Sequence, residues 1–177
     1  MPAIKALLTT GVAYLRSIAA GTGGAAGGPG ITIFSSTAAV ATDDGTLKTL
    51  ISYTLPANTL TRDGDRLEIE ASVALAADTD IKTSAVTFGA ATLAGRTAND
   101  NGLARLHRCT VIRVNGTTQV GGGTAECQGQ GTLVTNSAPA ETLSGAIVIA
   151  LKGQNTTDAT PSSVTSRYMT VKFFPAP

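Results

Sequence analysis

Tryptophan is absent from this chain of 177 residues, aromatic side chains of any kind make up 4%, and charged residues make up only 14%. Sugar sites commonly stack their ligands on aromatic rings, so a secreted carbohydrate-binding or hydrolytic module fits poorly. The 13 basic and 12 acidic residues leave a formal net charge of +1, which gives no field to attract a phosphate backbone and argues against nucleic acid as a partner. Cys109 and Cys127 are too few for a disulfide framework, and with a single histidine no zinc ligand pattern can be assembled. Both thiols are expected to be buried and reduced. Gly, Ala and Thr are plentiful instead, so a core must come mainly from Val, Ile, Leu and Ala. The length suits one domain plus an appendage, enough to bury about two-thirds of the unfolded chain's surface.

Three pieces follow from the patterning. In residues 1–20 the run AIKALLTTGVAYLRSIAA places Ile4, Leu7, Leu8, Val12, Leu15 and Ile18 at spacings of three and four, one stripe of a helix, with Lys5 and Arg16 off it. Two charges in 18 residues make a poor membrane span, and Thr9, Thr10 and Gly11 interrupt what a secretory signal needs to be continuous. The expectation is an amphipathic anchoring arm whose stripe meets another chain. Residues 21–30, GTGGAAGGPG, hold six glycines and nothing larger than Thr or Pro, which makes a tether. A phosphate-binding loop would end in Gly-Lys-Ser/Thr after a strand, and neither is there.

From Ile31 to Pro177 short alternating runs are separated by turn chemistry. Leu67, Ile69, Ala71, Val73 and Leu75 occupy every second position, and Ile147, Ile149 and Leu151, then Met169, Val171 and Phe173, repeat the pattern. Asp43-Asp44-Gly45, Asp63-Gly64-Asp65, Asn101-Gly102 and Asn115-Gly116 supply residues that tolerate positive φ. About eight strands without a helix between them predict an antiparallel β sandwich. Weakly charged faces such as Ala85–Thr87 are expected to lie on the surface and to be covered by other copies.

Candidates for chemistry are few. His107 and Cys109 at i, i+2 would share a strand face, a conceivable thiol and base, although reactive groups normally converge from different elements. A hydrolytic triad would need a Ser and an Asp that spacing cannot identify. Asp78 and Asp80 could contribute to a calcium site, which takes six to eight oxygens, but they read more simply as turn residues. Glu68 and Glu70 read as solubilising side chains on a wet strand face. Asn115-Gly-Thr and Asn155-Thr-Thr are glycosylation sequons only in a secreted eukaryotic chain. No catalytic residue, metal or cofactor is expected.

TLPANTL at Thr54–Leu60, DGD at 63–65, the alternation from Leu67 to Ala71, Asp78-Thr-Asp-Ile-Lys82, Phe88-Gly89 and the closing run SGAIVIALKGQNTTDATPSSVTSRYMTVKFFP together resemble a recurrent module of tailed-bacteriophage structural proteins. The resemblance covers most of residues 31–177 and brings no catalytic motif. It implies a jelly-roll-like sandwich that associates as a homotrimer, in a non-enzymatic virion protein assembled in the host bacterial cytoplasm. The role implied first is a capsid decoration, cement or head-fibre protein, bound to the major capsid protein through residues 1–30. The alternative is a tail fibre or receptor-binding tip, docked on a tail or baseplate protein and touching a host surface receptor. The chain has a short arm and no coiled-coil or β-helical shaft, unlike longer fibre proteins of that kind.

Overall fold

The computed structural model describes residues 30–42, 45–157 and 163–177. The expected anchoring residues Ile4, Leu7, Leu8, Val12, Leu15 and Ile18, and the tether up to Pro29, lie outside them.

The described residues form ten strands and no helix: β1 (Ile31–Ser36), β2 (Lys48–Leu55), β3 (Arg66–Leu75), β4 (Lys82–Phe88), β5 (Ala91–Ala98), β6 (Ala104–Arg113), β7 (Gln119–Cys127), β8 (Gly131–Ser137), β9 (Ile147–Asn155) and β10 (Val164–Phe174). All pairings are antiparallel. One sheet has the order β1-β10-β3-β6-β7-β8, the other β2-β9-β4-β5. The alternation read from the sequence sets the faces. Leu67, Ile69, Ala71 and Val73 on β3 and Met169, Val171 and Phe173 on β10 all point inward, where they meet Val86, Phe88, Leu93, Ile149 and Leu151 of the opposite sheet in one apolar cluster. Phe34 on β1 stacks on Tyr53 of β2 with ring centroids 4.9 Å apart, closing one end of the sandwich.

The link from β2 to β3 is built by the TLPANTL and DGD segments. Asn58 takes φ 59° and Gly64 φ 89°, the left-handed conformation that Asn and Gly tolerate best. Thr59 Oγ1 donates to the Pro56 carbonyl at 2.6 Å, and Leu60 is buried below. Asp65, fully enclosed, accepts from the Thr61 and Arg62 N–H groups at 2.7 and 2.8 Å and from the Ala176 N–H at 2.9 Å. One carboxylate therefore caps the turn and ties down the C-terminal segment.

Two expectations change. There are ten strands among the described residues rather than about eight. Ala85, Val86 and Thr87 are buried within the chain, because β4 is an interior strand flanked by β5 and β9 and its small side chains are covered by their neighbours. Exposed apolar side chains lie elsewhere, and the most exposed of the large ones, Val134, is on the hairpin of β7 and β8.

Candidate functional site

The inward alternation of β6 runs Arg105, His107, Cys109, Val111, so a cation and an imidazole enter the sandwich between apolar neighbours. Arg105 is fully enclosed and is held by groups of its own chain. Its Nε donates to Asp100 Oδ2 at 2.7 Å, Nη1 to the Arg96 carbonyl at 2.7 Å and Nη2 to the Ala98 carbonyl at 2.9 Å. Arg96 closes on the same carboxylate from the other side, at 2.8 and 3.1 Å. Burial pushes the Asp100 carboxyl up, but the hydrogen bonds from Arg96 and Arg105 outweigh it and bring it to about 2. Burial likewise lowers the Arg105 pKa, which its bond to Asp100 opposes.

His107 Nε2 lies 2.9 Å from Ser84 Oγ on β4, and Arg105 Nη1 reaches the same oxygen at 3.3 Å. A serine and a histidine thus do meet, but in a different arrangement from a hydrolytic triad. His107 Nδ1 is buried without a partner among the described residues, while Asp100 is bound to the two arginines, so no carboxylate orients the imidazole. Ser84 and His107 are both at 0% exposure, and no substrate reaches them unless the sheets part. The pairing of His107 with Cys109 fails on the same grounds. Burial pushes the Cys109 thiol up to about 12, which suppresses the nucleophilic thiolate. Both cysteines are free and buried, as expected.

His107 gives this interior a pH dependence. Burial and the nearby Arg105 charge lower its pKa from 6.5 to about 4. Between those values the unfolded chain binds the proton and the folded chain does not. Stability is therefore complete above pH 6.5 and falls as pH drops toward 4, by about 3 kcal/mol in all. Urea midpoints should drop between about pH 7 and about pH 4, and the drop should shrink in His107→Gln. A wild-type midpoint unchanged across that window would rule out a neutral enclosed imidazole.

Asp78 and Asp80 hold no open cation site. Asp78 Oδ1 accepts the Asp80 N–H at 2.9 Å, a side-chain turn as expected, and is ion-paired with the enclosed Lys82 ammonium. Asp80 Oδ2 accepts from Asn155 Nδ2 at 2.8 Å. Among the described residues no group of three or more His, Cys, Asp or Glu side chains is placed to hold a metal. Asn155 is fully enclosed, so its sequon offers no accessible acceptor in the fold.

The outer face of the six-stranded sheet carries a groove of about 570 Å³ lined by Glu68, Glu70, Arg108, Thr110, Thr124 and Lys172. Its charges are paired, Arg66 with Glu68 along β3 and Arg108 with its partners across strands. Arg108 reaches Glu70 at 3.3 Å and Glu126 at 3.0 Å, Arg66 reaches Glu68 at 3.0 Å, and Tyr168 donates to Glu70 at 2.8 Å. Burial and this bond push the tyrosine up to about 12. Beside the groove, β8 forms one edge of the sheet with the uncharged sequence GTLVTNS. Val134 is 71% exposed there, Leu133 46%, and Val120 on β7 48%. This edge, unlike the interior clusters, can meet another molecule.

Arg105, Asp100 and Ser84 were not singled out from the sequence. The signal for Arg105 was present, since counting back by twos from Val111 places it on the inward face. Nothing local marks Asp100 or Ser84 as its partners. Among the described residues no helix is long and apolar enough to cross a membrane. The described residues form an all-β, antiparallel two-sheet fold. Compared with family models, curated proteins and solved structures, the chain matches none.

Proposed function

We propose that the chain is a non-enzymatic structural protein of a tailed-phage virion, a homotrimeric capsid decoration, cement or head-fibre protein held by its N-terminal arm. The sandwich is a jelly roll in this reading. Leaving out the β7–β8 hairpin, the layers are β1-β10-β3-β6 and β2-β9-β4-β5, so the chain alternates between layers except at the β4–β5 hairpin, in the manner of that fold. The observation that carries the assembly role is the β7–β8 edge. Free sheet edges are normally protected by charge, proline or a bulge, yet β8 has no charged residue and no proline, and its register with β7 is continuous. Exposed valines beside such an edge belong against another chain, and cyclic symmetry lets identical copies cover one another. The motifs behind the phage resemblance agree with a scaffold role, because Asn58, Thr59, Leu60 and Asp65 are all used in the β2–β3 link.

Sedimentation equilibrium of the full chain at micromolar concentration should give a trimer, and Val134→Glu should weaken it. A wild-type monomer would contradict the assembly. In particles, gold label on a C-terminal tag should spread over the shell. Label confined to the tail would establish the receptor-binding alternative, and its absence from purified particles would overturn both virion roles.

A further inference from the structure

Lys82 at the start of β4 and Asn155 at the end of β9 are direct cross-strand neighbours, and both side chains are fully enclosed. Such neighbours share a face with Cβ atoms about 5 Å apart, and both side chains bond to the same residue, Lys82 to the Asp80 carbonyl and Asn155 to the Asp80 carboxylate. Asp78 and Asp80 come from the preceding loop. The Lys82 ammonium donates to Asp78 Oδ1 and, at 3.2 Å, to the Asp80 carbonyl. Asn155 Nδ2 donates to Asp80 Oδ2 at 2.8 Å and to Ser163 Oγ at 3.0 Å, while its Oδ1 accepts the Thr157 N–H at 3.0 Å. An amine beside a proton acceptor, a carbonyl oxygen held by a backbone N–H, and a leaving nitrogen held by a carboxylate are the parts of an acyl transfer.

We propose that Lys82 and Asn155 join in a spontaneous intramolecular amide bond. Asp78 takes a proton from Lys82 Nζ, and the neutral amine attacks Asn155 Cγ. Charge developing on Oδ1 is met by the Thr157 N–H. A second proton leaves Nζ and reaches Nδ2 through the Asp80 carboxylate, the Cγ–Nδ2 bond breaks, and ammonia departs, taking the proton held by Asp78. Ammonium plus carboxamide become secondary amide plus ammonium ion, with no oxidant or co-reactant. The fold provides the driving arrangement by holding both groups together, which replaces a bimolecular encounter. The bond would restrict the unfolded chain between β4 and β9 as a disulfide does, in a protein whose two cysteines are free.

Mass spectrometry of the purified full chain, denatured and then digested with trypsin, tests this. The expected intact mass is lower than the sequence mass by one ammonia. The expected digest contains a branched peptide joining Leu67–Arg96 to Gly153–Arg167, uncleaved at Lys82. A succinimide at Asn115-Gly116 loses the same ammonia but leaves Lys82 cleavable, so the branched peptide decides. Lys82→Arg, which keeps a cation with several donors, should lose the branched species. If that variant does not fold, the wild-type peptides decide alone. An unchanged mass after prolonged incubation, or loss of one water with Lys82 joined to Asp78, overturns the proposal.

Discussion

Replacing Asp100 by Ala should lower stability by about 3–5 kcal/mol, a large share of the roughly 5–15 kcal/mol that separates folded from unfolded domains. Arg96 is 10% exposed at its side chain and can turn its guanidinium toward water. Arg105, at 0%, cannot. It would keep its bonds to the Arg96 and Ala98 carbonyls but lose the carboxylate that balances its charge, and an uncompensated buried cation is far more costly than an absent one. For that reason Arg105→Met in the Asp100→Ala background should recover part of the loss. Urea unfolding of the two single variants and the double variant forms the required cycle. A single Asp100→Ala variant within about 1 kcal/mol of wild type would show that the pair carries little, as exposed pairs do.

A second large effect is expected from Gly123→Val on β7. A Cβ at this position would lie 2.4 Å from the Arg108 carbonyl oxygen, 2.8 Å from Cys109 Sγ and 2.9 Å from Cys109 Cα. Two of these atoms are backbone of the neighbouring strand β6 and cannot rotate away. Accommodation requires β7 to separate from β6, so the loss should be about 3 kcal/mol or more, at or beyond the upper end of overpacking. Gly116→Val serves as the control, since nothing stands within 4 Å of its Cβ position. Thermal or urea unfolding of the two variants compares them directly, and equal midpoints would mean that β6 and β7 can separate at Gly123 without cost. Because β7 carries β8, the same substitution should also disturb the exposed edge on which assembly is proposed to depend.

The strand faces, the turns and the all-β character of the described residues follow from the sequence alone. Alternation in LEIEASVAL decides which side chains of β3 go inward without reference to any distant residue, since successive side chains of a strand point to opposite sides. Asn58 and Gly64 mark turns through positive φ, whereas Asn115-Gly116, also expected to use positive φ, turns instead through the Asn115 side chain, whose Oδ1 accepts the Thr117 N–H. Partnership is a different matter. Lys82, Arg105 and Asp65 are charged, and charge alone reads as surface. Their burial depends on Asp78, Asp100 and the backbone N–H groups of residues 61, 62 and 176, and some of those partners are far away in the chain. Ala85–Thr87 mislead in the same way, because the same small or apolar residues are covered on an interior strand and bare on an edge, as Val134 is. Strand order decides which, and it is fixed by long-range pairing that local pattern does not encode. The sequence therefore determined the elements and their faces, while only the tertiary structure decided which charges are enclosed, which residues share a partner, and which edge is left open.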